Sequence, residues 1–168
     1  MNPTQFVCSL KAAAFDNVFN PYTDRCEVHD LDDAPDRRAK ALLTMLKAAA
    51  RTEVDSLWIG RDLGYRGGRR TGLALTDDVH LALHATRWNI KVDRATTGSL
   101  VGERTATVIW NMLASVPAPV FLAAPGTGKA RNHGLRPWQL RGVPRPADRD
   151  AFVKRVGLAG LHGPRPGR

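Results

Sequence analysis

Apolar positions recur along the first 122 residues with two different periods. Phe6, Val7, Leu10 and Ala14 fall at helical spacing and predict a short helix over 4–15. A turn-rich stretch, NPYTDRCEVHDLDDAP (20–35), reads as a loop. Asp33 then caps a helix with Pro35 in its first turn, and Ala39, Leu42, Leu43, Leu46 and Ala50 recur at steps of three and four. Val54 to Ile59 is a short, mostly apolar run and predicts a buried strand. A loop rich in Gly and Arg follows, GRDLGYRGGRRTG (60–72). Thr76, Asp77 and Asp78 have the chemistry of a helix start, which puts Val79, Ala82 and Leu83 inward. Gly98 to Glu103 leads into a helix carrying Val108, Ile109, Met112 and Leu113, and Val116 to Leu122 predicts a second apolar strand. The order helix, strand, loop, helix, helix, strand implies an α/β fold with a short parallel sheet. Two strands are few for such a sheet, so residues 1–122 read as the front part of a larger domain.

Composition changes this picture at one point. The chain has 168 residues, 43% hydrophobic and 24% charged, which fits a globular protein. Its net charge of +9 would ordinarily suggest a nucleic-acid partner. The charge is uneven, however. Residues 1–122 hold 15 Lys and Arg against 14 Asp and Glu, whereas residues 123–168 hold 10 against 2. Gly, Pro and Arg make up 22 of the 46 residues of that tail, and its prolines exclude long helices and central strands. Two readings fit a poorly ordered segment of this kind: a basic arm that binds phosphates without sequence preference, or out-of-frame translation of a GC-rich gene. No apolar run reaches the ~18 residues of a membrane span. The start of the chain lacks the basic and apolar regions of a signal peptide. Cys8 and Cys26 fit no metal-site spacing. The expectation is a reduced cytoplasmic protein with no membrane contact, no metal cluster and no cofactor.

The candidate chemistry lies after the first strand, where open α/β sheets bind ligands. Gly60, Gly64, Gly67, Gly68 and Gly72 permit tight bends there, Asp62, two residues past the first Gly, is expected to point from the strand end into the crevice, and Arg61, Arg66, Arg69 and Arg70 surround it in sequence. An isolated loop Asp is commonly a turn residue, and clustered arginines are commonly a solvated face. Their conjunction at a strand end is less ordinary. Gly60-Arg61-Asp62-Leu63-Gly64, followed by Gly72-Leu73-Ala74-Leu75-Thr76, resembles the first active-site motif of the uracil-DNA glycosylase superfamily. That motif reads Gly-Gln-Asp-Pro-Tyr and then Gly-Leu-x-Phe-Ser at the same spacing. The resemblance runs from about residue 17 to Leu122 and implies a three-layer α/β/α domain, incomplete here. It also implies DNA as partner and base excision, a hydrolase activity in DNA repair: a base is flipped from the stack and its glycosidic bond is hydrolysed. Asp62 would activate water and stabilise the sugar cation. Gly60, Arg61, Leu63, Gly64 and Leu75 would hold the base, with main-chain N–H groups near Asp62 to Gly64 facing it. Arg66, Arg69 and Arg70 would bind the DNA backbone. Leu75 stands where the family has a stacking aromatic. Gly64 stands where one branch has a Tyr that excludes thymine, which implies a roomier pocket.

The pattern departs from the family after the second strand. Ala123-Ala124-Pro125 replaces a strand end with Asn, Asn132 lies too far along, and His133 and His162 have the wrong flanks for the later His loop. A competing motif, AAPGTGKA (123–130), is like a phosphate-binding loop but has Ala at both ends where Gly and Ser or Thr are needed. A second competitor is a non-catalytic protein that binds nucleic acid through the basic tail. His80 and His84 share one helix face without a carboxylate or Cys partner, which reads as a surface or packed pair. Trp58 and Trp110 read as core, and Trp88 as packing.

Overall fold

A computed structural model describes residues 2–14 and 16–124. The readings of the basic tail from Pro125 onward, including most of AAPGTGKA and residues Asn132, His133 and His162, lie outside the described residues.

The chain begins with α1 (Pro3–Lys11), whose start is a reciprocal cap. Asn2 accepts the Gln5 N–H at 2.9 Å, and the Gln5 side chain accepts the Asn2 N–H at 3.0 Å. Its far end is satisfied by Asn20, whose Nδ2 donates to the carbonyls of Leu10 and Ala13. Helix α2 (Ala34–Ala49) follows Asp33, as the spacing predicts. Asp33 makes no side-chain cap bond; its carboxylate pairs with Arg37 at 2.7 Å instead.

Strand β1 (Ser56–Ile59) pairs in parallel with β2 (Val120–Ala123), Leu57 opposite Phe121 and Trp58 opposite Leu122. The fold is therefore mixed α/β, with a two-stranded parallel sheet among the described residues. The connection between the strands carries α3 (Gly68–Thr71), α4 (Leu81–Arg87) and α5 (Arg104–Ala114). Strand alternation sends side chains to two cores. Phe121, with Leu57 beside it, joins Val7, Tyr22, Met45, Leu46, Leu73 and Trp88. Val120 and Leu122, with Trp58 beside them, join Ala106, Trp110 and Leu113 of α5. Trp110 is thus a core residue, Trp58 is half-buried against the same cluster, and Trp88 packs edge-on against Phe121 at 6.2 Å.

Three expectations need correction. Of the two strands, β2 is the buried one; β1 is half-buried and its Ile59 is exposed. The second strand starts at Val120 rather than Val116 because Arg87 takes the carbonyls of Val116 and Ala118 at 2.6 and 2.7 Å, and Pro117 and Pro119 have no N–H to donate. Helix α4 starts at Leu81 and turns Leu81 and His84 inward, so Val79, Ala82 and Leu83 are exposed. Asp77 accepts the His80 N–H in the turn before α4, the Asp78 carboxylate is engaged elsewhere, and the loop gains a one-turn helix, α3, closed by Gly72 at φ 74°. A Cβ on Gly72 would come within 2.7 Å of the Arg38 Cβ, so glycine is required there for space as well as conformation.

Candidate active site

The site begins where β1 ends. The Gly60 N–H still donates to the Ala123 carbonyl at 2.8 Å, and the chain then leaves the sheet. A cavity of about 320 Å³ opens at this point, bordered by Gly60, Arg61, Asp62, Gly64, Leu75, Glu103, Thr105 and Ala106. Its size is at the lower end of ligand clefts. The Asp62 side chain is 30% exposed, so it is partly withdrawn from bulk water, and it accepts a hydrogen bond from Arg61 Nε at 3.0 Å. Among the described residues, none accepts a hydrogen bond from the main-chain N–H of Asp62, Leu63 or Gly64. Leu75 also borders the cavity and has a left-handed backbone, φ 53°. That conformation is unfavourable for leucine. Two contacts brace it: Trp110 Nε1 donates to the Leu75 carbonyl at 3.1 Å, and the Leu75 side chain lies against Gly60, where a Cβ would come within 2.8 Å.

Glu103 is the residue that sequence reasoning missed. It precedes α5, and its carboxylate occupies a seat beside Gly64 and Gly67, where a Cβ on either glycine would overlap it. Its main-chain N–H donates to Asp77 Oδ2 at 2.6 Å. Asp77 is fully buried, and its other oxygen accepts from the His80 N–H at 2.8 Å and contacts His80 Nδ1 at 2.6 Å. Burial raises the pKa of the Glu103 carboxyl, the negative charges of Asp77 and Asp62 raise it further, and Arg66 opposes them. The cavity thus holds two carboxyl groups in different surroundings, Asp62 beside an arginine and Glu103 half-buried beside other acids. The signal in the sequence was faint: a single Glu, far along the chain, before a helix.

Gly60, Arg61, Asp62, Gly64 and Leu75 come together around this cavity. Leu63 does not. Its side chain is buried and lines a separate apolar hollow of about 50 Å³ within the larger core, so only its main chain can face a base. Arg66 is exposed next to the site. Arg69 and Arg70 correct the phosphate-binding expectation, because both are buried. Arg70 Nε donates to Asp78 at 2.8 Å, and Asp78 also accepts from Thr96 and the Val101 N–H. Arg69 lies 3.9 Å over the Phe19 ring. These arginines hold the loop in shape and are unavailable to DNA.

The two histidines also separate. His80 is held by Asp77 and stacks on Trp110 at 6.2 Å, whereas His84 is buried with Nδ1 2.8 Å from Thr76 Oγ1. Thr76 Oγ1 donates to the Ala74 carbonyl, so His84 Nδ1–H donates to Thr76 and Nε2 keeps a bare lone pair in the core. Burial, with Arg87 nearby, pushes the His84 pKa down to about 3. No group of His, Cys, Asp and Glu suited to a metal ion occurs among the described residues, and no helix of theirs is long and apolar enough to cross a membrane.

In comparisons with protein-family models, curated proteins and solved structures, nothing matches the chain.

Proposed function

We propose that the chain is a DNA glycosylase of the uracil-DNA glycosylase type, hydrolysing the N-glycosidic bond of uracil or another modified base. One observation carries this reading: five residues chosen from the sequence motif alone border a single cavity at the carboxyl end of a parallel strand. In this reading the described residues form part of a three-layer α/β/α domain. A flipped base enters the cavity, and Leu75 contacts it by dispersion while unpaired N–H groups from Asp62 to Gly64 meet its carbonyl oxygens. The roomier pocket expected from Gly64 is corrected, because the space beside it is filled by the Glu103 carboxylate. The Asp62 carboxylate orients a water toward C1′ and offsets the positive charge that develops on the sugar. Arg66 meets a flanking phosphate.

The test is release of base from oligonucleotides carrying uracil and other modified bases, read as alkali-labile abasic sites. Excision that falls about 10²-fold or more in Asp62→Asn supports the reading. Absence of excision, or excision indifferent to that substitution, overturns it. DNA affinity without excision, unchanged in Asp62→Asn and lost when residues 123–168 are deleted, marks the basic-tail alternative instead.

A further inference from the structure

We infer that Glu103 is the second acting carboxyl of the cavity and delivers a proton to the departing base. This inference rests on the glycosylase reading. Glu103 borders the same cavity as Asp62 but is built into it differently. Its main chain is fixed by a 2.6 Å hydrogen bond to the buried Asp77, and its carboxylate sits in a seat that exists only because residues 64 and 67 lack side chains. A fixed main chain and a fitted seat hold the carboxyl toward the cavity. The groups that act on it are Asp77 and Asp62, which favour its neutral form along with burial, and Arg66, which opposes them. Arg61 borders the cavity as well, but its guanidinium is engaged with Asp62. Two carboxyl groups in one cleft with unlike surroundings suit opposite tasks, one as base and one as acid.

The step balances. The C1′–N bond breaks and its electron pair leaves with the base nitrogen or a conjugated carbonyl oxygen, which takes the Glu103 proton. Water adds its oxygen to C1′ and loses a proton to Asp62. The proton on Asp62 and the vacancy on Glu103 are then exchanged with solvent. No oxidant, reductant or further reactant is needed. The chemical consequence concerns the leaving group: a base that departs poorly as an anion depends on Glu103, and one with an electron-withdrawing substituent depends on it less.

The experiment compares excision of uracil and 5-fluorouracil from otherwise identical oligonucleotides across pH, using the full chain, Asp62→Asn and Glu103→Gln. The expected wild-type rate on uracil falls as pH rises through the Glu103 titration, and the rate on 5-fluorouracil falls less. Glu103→Gln is expected to lose about 10²-fold on uracil with a flat alkaline limb and under about 10-fold on 5-fluorouracil. Asp62→Asn loses rate on both. Wild-type excision of neither base overturns the glycosylase reading and this inference with it. Wild-type excision with equal losses, or no loss, on the two bases in Glu103→Gln overturns the Glu103 assignment alone. Should that variant fail to fold, the wild-type pH profiles decide: identical profiles for the two bases overturn the assignment.

Discussion

Asp77 binds the main chain of Glu103. Its Oδ2 accepts the Glu103 N–H at 2.6 Å, while Oδ1 accepts the His80 N–H at 2.8 Å. One fully buried carboxylate thus joins the start of α5 to the turn before α4, two segments twenty-odd residues apart in the chain. Asn in place of Asp77 keeps one acceptor but presents an N–H₂ to groups that are themselves donors. Asp77→Asn is expected to lose about 2–4 kcal/mol, since charge-assisted buried bonds contribute about 1.5–3 kcal/mol each. Urea denaturation of the two chains checks this.

Arg70 and Arg66 stand close in sequence and do different work. Arg70 neutralises Asp78, whose side chain is 1% exposed, so Arg70→Ala leaves a buried charge without its nearest partner. The expected loss is about 3–5 kcal/mol. Arg66 is on the surface, and Arg66→Ala should change stability by under about 0.5 kcal/mol. Under the proposed DNA-binding reading the order reverses: Arg66→Ala is expected to lower the salt dependence of affinity by about one unit of slope. Any folded Arg70 variant leaves that slope unchanged. Binding measured over a range of salt concentrations separates the two.

His84 makes stability depend on acid. Its pKa is about 3 in the folded chain against an ordinary 6.5. Between these values the unfolded chain holds a proton that the folded chain does not, so falling pH favours unfolding. The expected contribution is a loss of about 1.4 kcal/mol per pH unit over that window. Replacing His84 by Gln, which keeps a polar contact to Thr76 without titrating there, flattens this part of the curve. Urea midpoints measured from pH 7 to pH 4 report the difference.

Much of this arrangement was legible in the sequence, and the rest had physical reasons for being hidden. Helix α2 and the two short strands follow from local periodicity, which acts over a few residues, and their parallel pairing from the order of the elements between them. The glycines and Asp62 were readable because a bend at a strand end needs particular residue types. Arg69 and Arg70 were misread because sequence shows their charge but not their partners, Phe19 and Asp78, which only the fold brings close. Asp77 and Asp78 look like helix-start residues, yet their carboxylates are taken by Glu103, His80, Arg70 and Thr96. Glu103 was hidden for the same reason: its seat is made by two glycines distant in the chain.

In its proposed role, Glu103 also links function to stability. Its carboxyl titrates above the ordinary 4.5 because burial and two neighbouring acids disfavour its charge. The fold therefore gains from the neutral form at pH below 4.5 and loses that gain as pH rises through the raised value. Glu103→Gln keeps the shape and cannot ionise, so it escapes the loss. The variant is expected to match the wild type in stability near pH 4 and to exceed it at pH 7–8. Urea midpoints at the two pH values give the comparison. A variant that is weaker at both would mean that Glu103 serves the fold as an anion, paired with Arg66, rather than as a carboxyl held for chemistry.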